Sequence, residues 1–117
     1  MINLDKLIKE NPAIISTCAE SNPNIAIASD IALIDDKTII ISHNEMIRTV
    51  ENIITNSNIS LLIVDPKAGW GGVRVFGKAR YHQDGEYFNK VCELFKNETT
   101  RPIGVIVVRI DDVREIA

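Results

Sequence analysis

Hydrophobic positions along this chain switch between two periods. Residues 4–10 carry Leu4, Leu7 and Ile8 at the i, i+3, i+4 spacing of a helix face, with Asn3 placed to cap and Pro12 to stop the turn. From there the pattern becomes that of strands. Six β-rich runs follow, at 13–20, 25–34, 37–42, 59–64, 73–83 and 104–110. Polar clusters such as residues 21–24 and 35–36 separate them as turns, so the first two runs read as a hairpin and the third continues a meander. Three consecutive isoleucines, Ile39 to Ile41, predict a third strand buried on both faces. Two further helical stretches interrupt the strands. One starts near Asn44 to Met46 with an apolar stripe of Met46, Ile47, Val50, Ile53 and Ile54. The other follows Asp84 as N-cap, beside Gly85, and bears Tyr87, Phe88, Val91, Leu94 and Phe95 before ending by Asn97. Asp111 onwards reads as a polar tail.

Composition strengthens the strand reading. Twenty Ile and nine Val load the chain with β-branched residues, whose stiff side chains pack well on pleated surfaces. A mainly β fold with short helices is expected, a six-stranded antiparallel barrel rather than a parallel α/β sheet, in one domain over residues 1–117. A net charge of −3 argues against nucleic acid, whose phosphates require a basic face. The N-terminus lacks the basic start and apolar run of a signal peptide, and no apolar stretch approaches the roughly 20 residues of a membrane span, so a cytoplasmic protein is expected. In that compartment Cys18 and Cys92 remain thiols used for packing.

Candidate chemistry gathers between residues 37 and 58, where a strand empties through a polar turn into a helix. Arg48 and Thr49 fall in the first helical turns, off the apolar stripe. Unpaired N–H groups, the positive end of the helix dipole, a guanidinium and a hydroxyl together suit a phosphate. The plainer alternative is a solvated helix surface. Asn52, four residues beyond Arg48, would either orient the guanidinium or lie exposed. His43 is placed to hydrogen-bond a ligand edge or to serve as an ordinary turn histidine, and neither it nor His82 has metal-ligand spacing. Ser29 and Asp30 interrupt the second strand: one must point inward, the strand must bulge, or Asp30 simply faces water. The GWGG segment is no dinucleotide loop, because Arg74 stands where a glycine is required; it leaves Trp70 as either a mobile cover for a pocket or a buried structural residue.

The order of these pieces resembles the pyridoxamine 5′-phosphate oxidase-like family of FMN-binding split β-barrels, particularly its small single-domain members. The resemblance rests on the leading helix, SNPNIAIAS, the passage ISHNEMIRTVENI, the G-x-A segment Gly77, Lys78, Ala79, and the DGEYF helix start, and covers nearly the whole chain. It implies FMN as cofactor, with the phosphate on Arg48 and Thr49 and the flavin ring beside Ile27, Ala28, Ser29, Asp30, Ser42, His43 and Asn44. It also implies an obligate homodimer with FMN at the subunit interface. No evident set of additional basic residues matches those that hold pyridoxamine phosphate in the oxidases, so the expectation is an FMN-dependent oxidoreductase or electron carrier with an unidentified redox partner. The alternatives from another class are a module for a different ligand, such as haem or a deazaflavin, and a ligand-free interaction barrel.

Overall fold

The structure, a computed structural model, describes residues 3–97 and 101–116. Helix α1 (Leu4–Glu10) begins where the Asn3 side chain accepts the Lys6 amide. Strands β1 (Ala13–Ala19) and β2 (Asn22–Ala28) form the first hairpin. Its turn is tighter than expected: Glu20 and Ser21 both take positive φ, and Asn22, Pro23 and Asn24 already belong to β2. Pro23 is tolerated because β2 is an edge strand, where a missing N–H interrupts no second ladder.

The expected single strand over 25–34 is two. It bends at Ser29 and Asp30 and resumes as β3 (Ile31–Asp35), which raises the sheet from six strands to seven. Two adjacent polar side chains cannot both avoid the apolar interior of a continuous strand, and the bend removes the conflict. Strand β4 (Thr38–His43) follows, then α2 (Ile47–Thr55), β5 (Asn58–Asp65), a 3₁₀ turn at Pro66–Ala68, β6 (Gly71–His82), α3 (Glu86–Phe95) and β7 (Gly104–Glu115).

All pairings are antiparallel, in the order β2-β1-β5-β6-β7-β4-β3. The two edge strands are therefore consecutive in the chain and joined by only Ser29 and Asp30. A linker that short spans on the order of 10 Å, so the sheet must curl until its edges approach each other. It remains open there.

The curl produces two cores. The larger gathers Ile15, Ile39, Ile41, Leu61, Ile63, Val75 and Val108 inside the sheet, under α1 and α2. The smaller packs Ile40, Val91 and Val105 with Tyr87, Phe88 and Phe95 between α3 and the outer face of β4 and β7. Ile39 to Ile41 thus alternate between two buried faces, as their sequence predicted.

Three local expectations are corrected. The "polar tail" beyond Asp111 pairs with β6 as far as Glu115, since strand pairing uses backbone groups and does not need buried side chains; a bulge at Phe76/Gly77 resets its register. The cap of α3 is Gly85 at φ 92°, a conformation glycine adopts without strain, and Asp84 makes no capping bond. The inward face of α2 is Thr49, Val50, Asn52 and Ile53, while Ile47 and Ile54 are 68% and 72% exposed. The cause is polar pairing with the sheet, described next.

Candidate functional site

The bend at Ser29–Asp30 and the passage from β4 into α2 face each other. The Ser42 amide donates to the Asp30 carbonyl at 2.9 Å, pinning the start of β3 to the end of β4. Between them lies a cavity of about 250 Å³ lined by Ile27, Ala28, Ser29 and Asp30 on one side and Ser42, Asn44, Glu45 and Met46 on the other. Six of the sequence-predicted residues therefore meet in one cleft. Both edges of the sheet end there: among the described residues β2 pairs only with β1 and β3 only with β4, so each presents backbone N–H and C=O groups outside any ladder. The Ser42 hydroxyl donates to Asn44 Oδ1 at 2.7 Å, which leaves the Asn44 amide NH₂ to donate elsewhere.

Helix α2 leaves this cleft with its positive end uncompensated: Met46 supplies no side-chain cap and the first turn holds no acid. Arg48 and Thr49 part company here. The Arg48 side chain is 67% exposed, with only a 3.8 Å contact from Nε to the Glu51 carboxylate, a surface pair too weak to hold the guanidinium. Thr49 turns inward and is buried. Its hydroxyl accepts from Asn24 Nδ2 at 3.1 Å, and one turn later Asn52 Nδ2 donates to Thr17 Oγ1 at 3.1 Å. Thr17 and Asn24 are themselves cross-strand partners in the β1–β2 ladder. This four-residue clasp fixes the rotation of α2, which is why two isoleucines of its apolar stripe face outward.

His43 is the last residue of β4 rather than a turn residue, and it is 6% exposed. Its ring lies in the sheet interior, where Nδ1 and the Tyr81 hydroxyl hydrogen-bond at 2.6 Å with the rings edge-to-face. The pairing is possible because residue 104, beside Tyr81, is glycine; a Cβ there would strike the phenol. Among the described residues Nε2 has no hydrogen-bond partner, and burial holds the imidazole below its ordinary pKa, so the ring is neutral near pH 7. Burial likewise raises the Tyr81 phenol. Trp70 follows the 3₁₀ turn with positive φ, is 66% exposed, and does not line this cleft. Among the described residues no three His, Cys, Asp or Glu side chains form a group able to hold a metal, and no helix is long and apolar enough to cross a membrane.

One group of polar residues escaped the sequence reading. Lys78, Arg80, His82 and Arg109 line a larger cavity, about 630 Å³, on the outer face of β6 and β7 beside Tyr87. The alternation of Lys78, Arg80 and His82 along one strand was the available signal.

The family profile described as pyridoxamine 5′-phosphate oxidase matches residues 3–117. The chain belongs to the pyridoxamine 5′-phosphate oxidase family. No curated protein matches it at a significant level. Among solved structures, HupZ of Group A Streptococcus is similar at 27% identity and TM-score 0.90, covering 99% of this chain and 94% of its own. A provisionally named pyridoxamine 5′-phosphate oxidase from Lactobacillus delbrueckii is 26% identical at TM-score 0.80, over 95% of this chain and 89% of its own. An FMN-binding protein from Syntrophomonas wolfei shares the fold at 24% identity and TM-score 0.85, over 97% and 84%. Within the pyridoxamine 5′-phosphate oxidase family, then, this chain carries the shared fold, with its cleft at the two sheet edges.

Proposed function

We propose that this protein is a homodimeric FMN-binding flavoprotein that transfers hydride or electrons. The observation that carries the reading is the convergence of residues 27–30 with residues 42–46 at the open seam of the sheet, beside the uncapped start of α2. The donor set suits a flavin. Unpaired edge N–H and C=O groups, with Ser29, Ser42 and Asn44, match the alternating acceptors and donors of its pyrimidine ring, and Arg48 supplies a mobile cation for the phosphate. Thr49 contributes by setting the helix on the sheet through Asn24, and His43 by filling the interior behind the ring. Bound FMN would supply the redox chemistry, and the chain its orientation and potential.

A second copy completes the site in this reading. A cavity of about 250 Å³ falls short of the roughly 300–1,000 Å³ of most small-molecule sites. Ile25 and Ile27 on β2 and Ile47 and Ile54 on α2, the two elements that lead from it, are each more than two-thirds exposed, the kind of apolar surface a partner covers. Trp70 is the aromatic surface residue assigned to closing the flavin from outside. A cytoplasmic location accords with the free thiols Cys18 and Cys92.

The test is the visible spectrum of the purified protein, followed by FMN titration and a survey of reduction by NADH and NADPH. A flavin spectrum, or tight uptake of added FMN with quenching of the single tryptophan, is expected. Colourless protein that fails to bind FMN would overturn the reading, and a haem or deazaflavin spectrum would replace it.

A further inference from the structure

The groove on the outer face of β6 and β7 concentrates positive charge on a protein whose acids outnumber its bases, 16 to 13. Lys78, Arg80 and His82 occupy alternate positions of β6 and so project from one face of the sheet. Arg109 on β7 is the direct cross-strand partner of Lys78. Like charges placed opposite each other in a ladder destabilise it, so this pairing is a cost the fold carries. No acid relieves it: among the described residues no carboxylate lies within ion-pair distance of Lys78, Arg80 or Arg109, although Asp111 stands at the rim.

The surroundings are those of a receptor rather than a bare surface. The Lys78 ammonium donates to Asn58 Oδ1, and Thr38 pairs with Arg109 from the other side. Asn58, Lys78, Arg109 and Thr38 therefore form one polar row across four strands. Ala79 and Val107 give the cavity apolar lining, and Tyr87 of α3 stacks on His82 at 6.5 Å between ring centroids to make one wall. At about 630 Å³ the space is of small-molecule size.

We propose that this groove is a second binding site, separate from the seam of the sheet, for a small oligo-anion: a diphosphate or a polycarboxylate. An anion bridging Lys78 and Arg109 turns their repulsion into two charge-assisted bonds, and Arg80, two residues along β6, adds a third cation. A single monoanion would neutralise only one of the three. The guanidinium fork matches phosphate and carboxylate oxygens equally well, so chemistry alone favours neither source.

The experiment titrates the full-length, isotope-labelled protein at low ionic strength with inorganic pyrophosphate in one arm and citrate in the other, reading amide shifts. Saturable shifts confined to residues 78–82 and 107–111 are expected in at least one arm; the arm that saturates names the source. Arg109→Gln or Arg80→Gln should weaken that affinity about tenfold or more, and the anion should raise the Tm of the parent but not of the variant carrying both substitutions. Without anion, Arg109→Gln should leave Tm unchanged or higher, because a repulsion is removed. Shifts spread evenly over surface cations, affinity unchanged in either variant, or displacement by FMN would each overturn the proposal. Failure of the protein to bind FMN would leave it standing, since none of its residues lines the seam.

Discussion

Helices α2 and α3 are of similar length, both amphipathic, both without a side-chain cap, yet they meet the sheet in opposite ways. Helix α3 buries Val91 completely and packs Tyr87, Phe88 and Phe95 against the outer face of β4 and β7, the ordinary apolar docking of a surface helix. Helix α2 gives part of its inward face to Thr49 and Asn52, spends them on Asn24 and Thr17, and leaves Ile47 and Ile54 in solvent. One helix is held by shape, the other by directional bonds. Directional bonds fix rotation as well as proximity, and it is α2 whose first turn borders the cleft, where rotation decides whether Arg48 faces a ligand.

That contrast can be broken at four points. Val91→Ala should cost about 2–3 kcal/mol of stability, from lost burial and the cavity left under α3, with FMN affinity unchanged; chemical denaturation beside FMN titration reads both. Arg48→Ala should do the reverse, weakening FMN by about 1.5–3 kcal/mol while Tm holds, and unchanged affinity would remove Arg48 from the site. Asn52→Ala lies between. It strips the Thr17 hydroxyl of its buried partner at a cost of about 1–2 kcal/mol and loosens the setting of α2, so stability and FMN affinity should fall together.

The smallest effect belongs to His43. Burial depresses its pKa below the ordinary 6.5, so the unfolded chain binds the proton more readily than the folded one. The stability this confers is complete above about pH 6.5 and is lost as pH falls through the lower folded value. Tm should decline as pH falls below about 6.5, and His43→Gln, which keeps a hydrogen-bonding group near Tyr81 but cannot titrate, should flatten that decline. An equal slope in both proteins would assign it to other groups.

Much of this was legible from local pattern. The helices, the doubly buried β4 and the hairpin followed from periodicity and turn residues, because those signals act within a few residues of where they are written. The cleft was legible in six of its members, Ile27 to Asp30 with Ser42 and Asn44, largely through family resemblance, while His43 turns away from it into the sheet interior. Side-chain pattern points the wrong way where backbone or partners decide: the acidic end of β7 reads as a tail, though ladder bonds ignore side-chain polarity, and Thr49 reads as outward-facing because a helical stripe does not reveal the polar partner on β2.

By itself, then, the sequence determined most helix and strand segments in outline, that a sheet dominates, and that Ser29–Asp30 interrupts an apolar strand run. Only the tertiary structure decided that this disturbance is the seam of the sheet, where two consecutive strands become opposite edges. It also decided that Lys78 and Arg109, far apart in the chain, stand face to face. Those facts depend on strand order and register, which are set by how the whole apolar surface closes on itself and by which ladders complete, not by the residues at either spot.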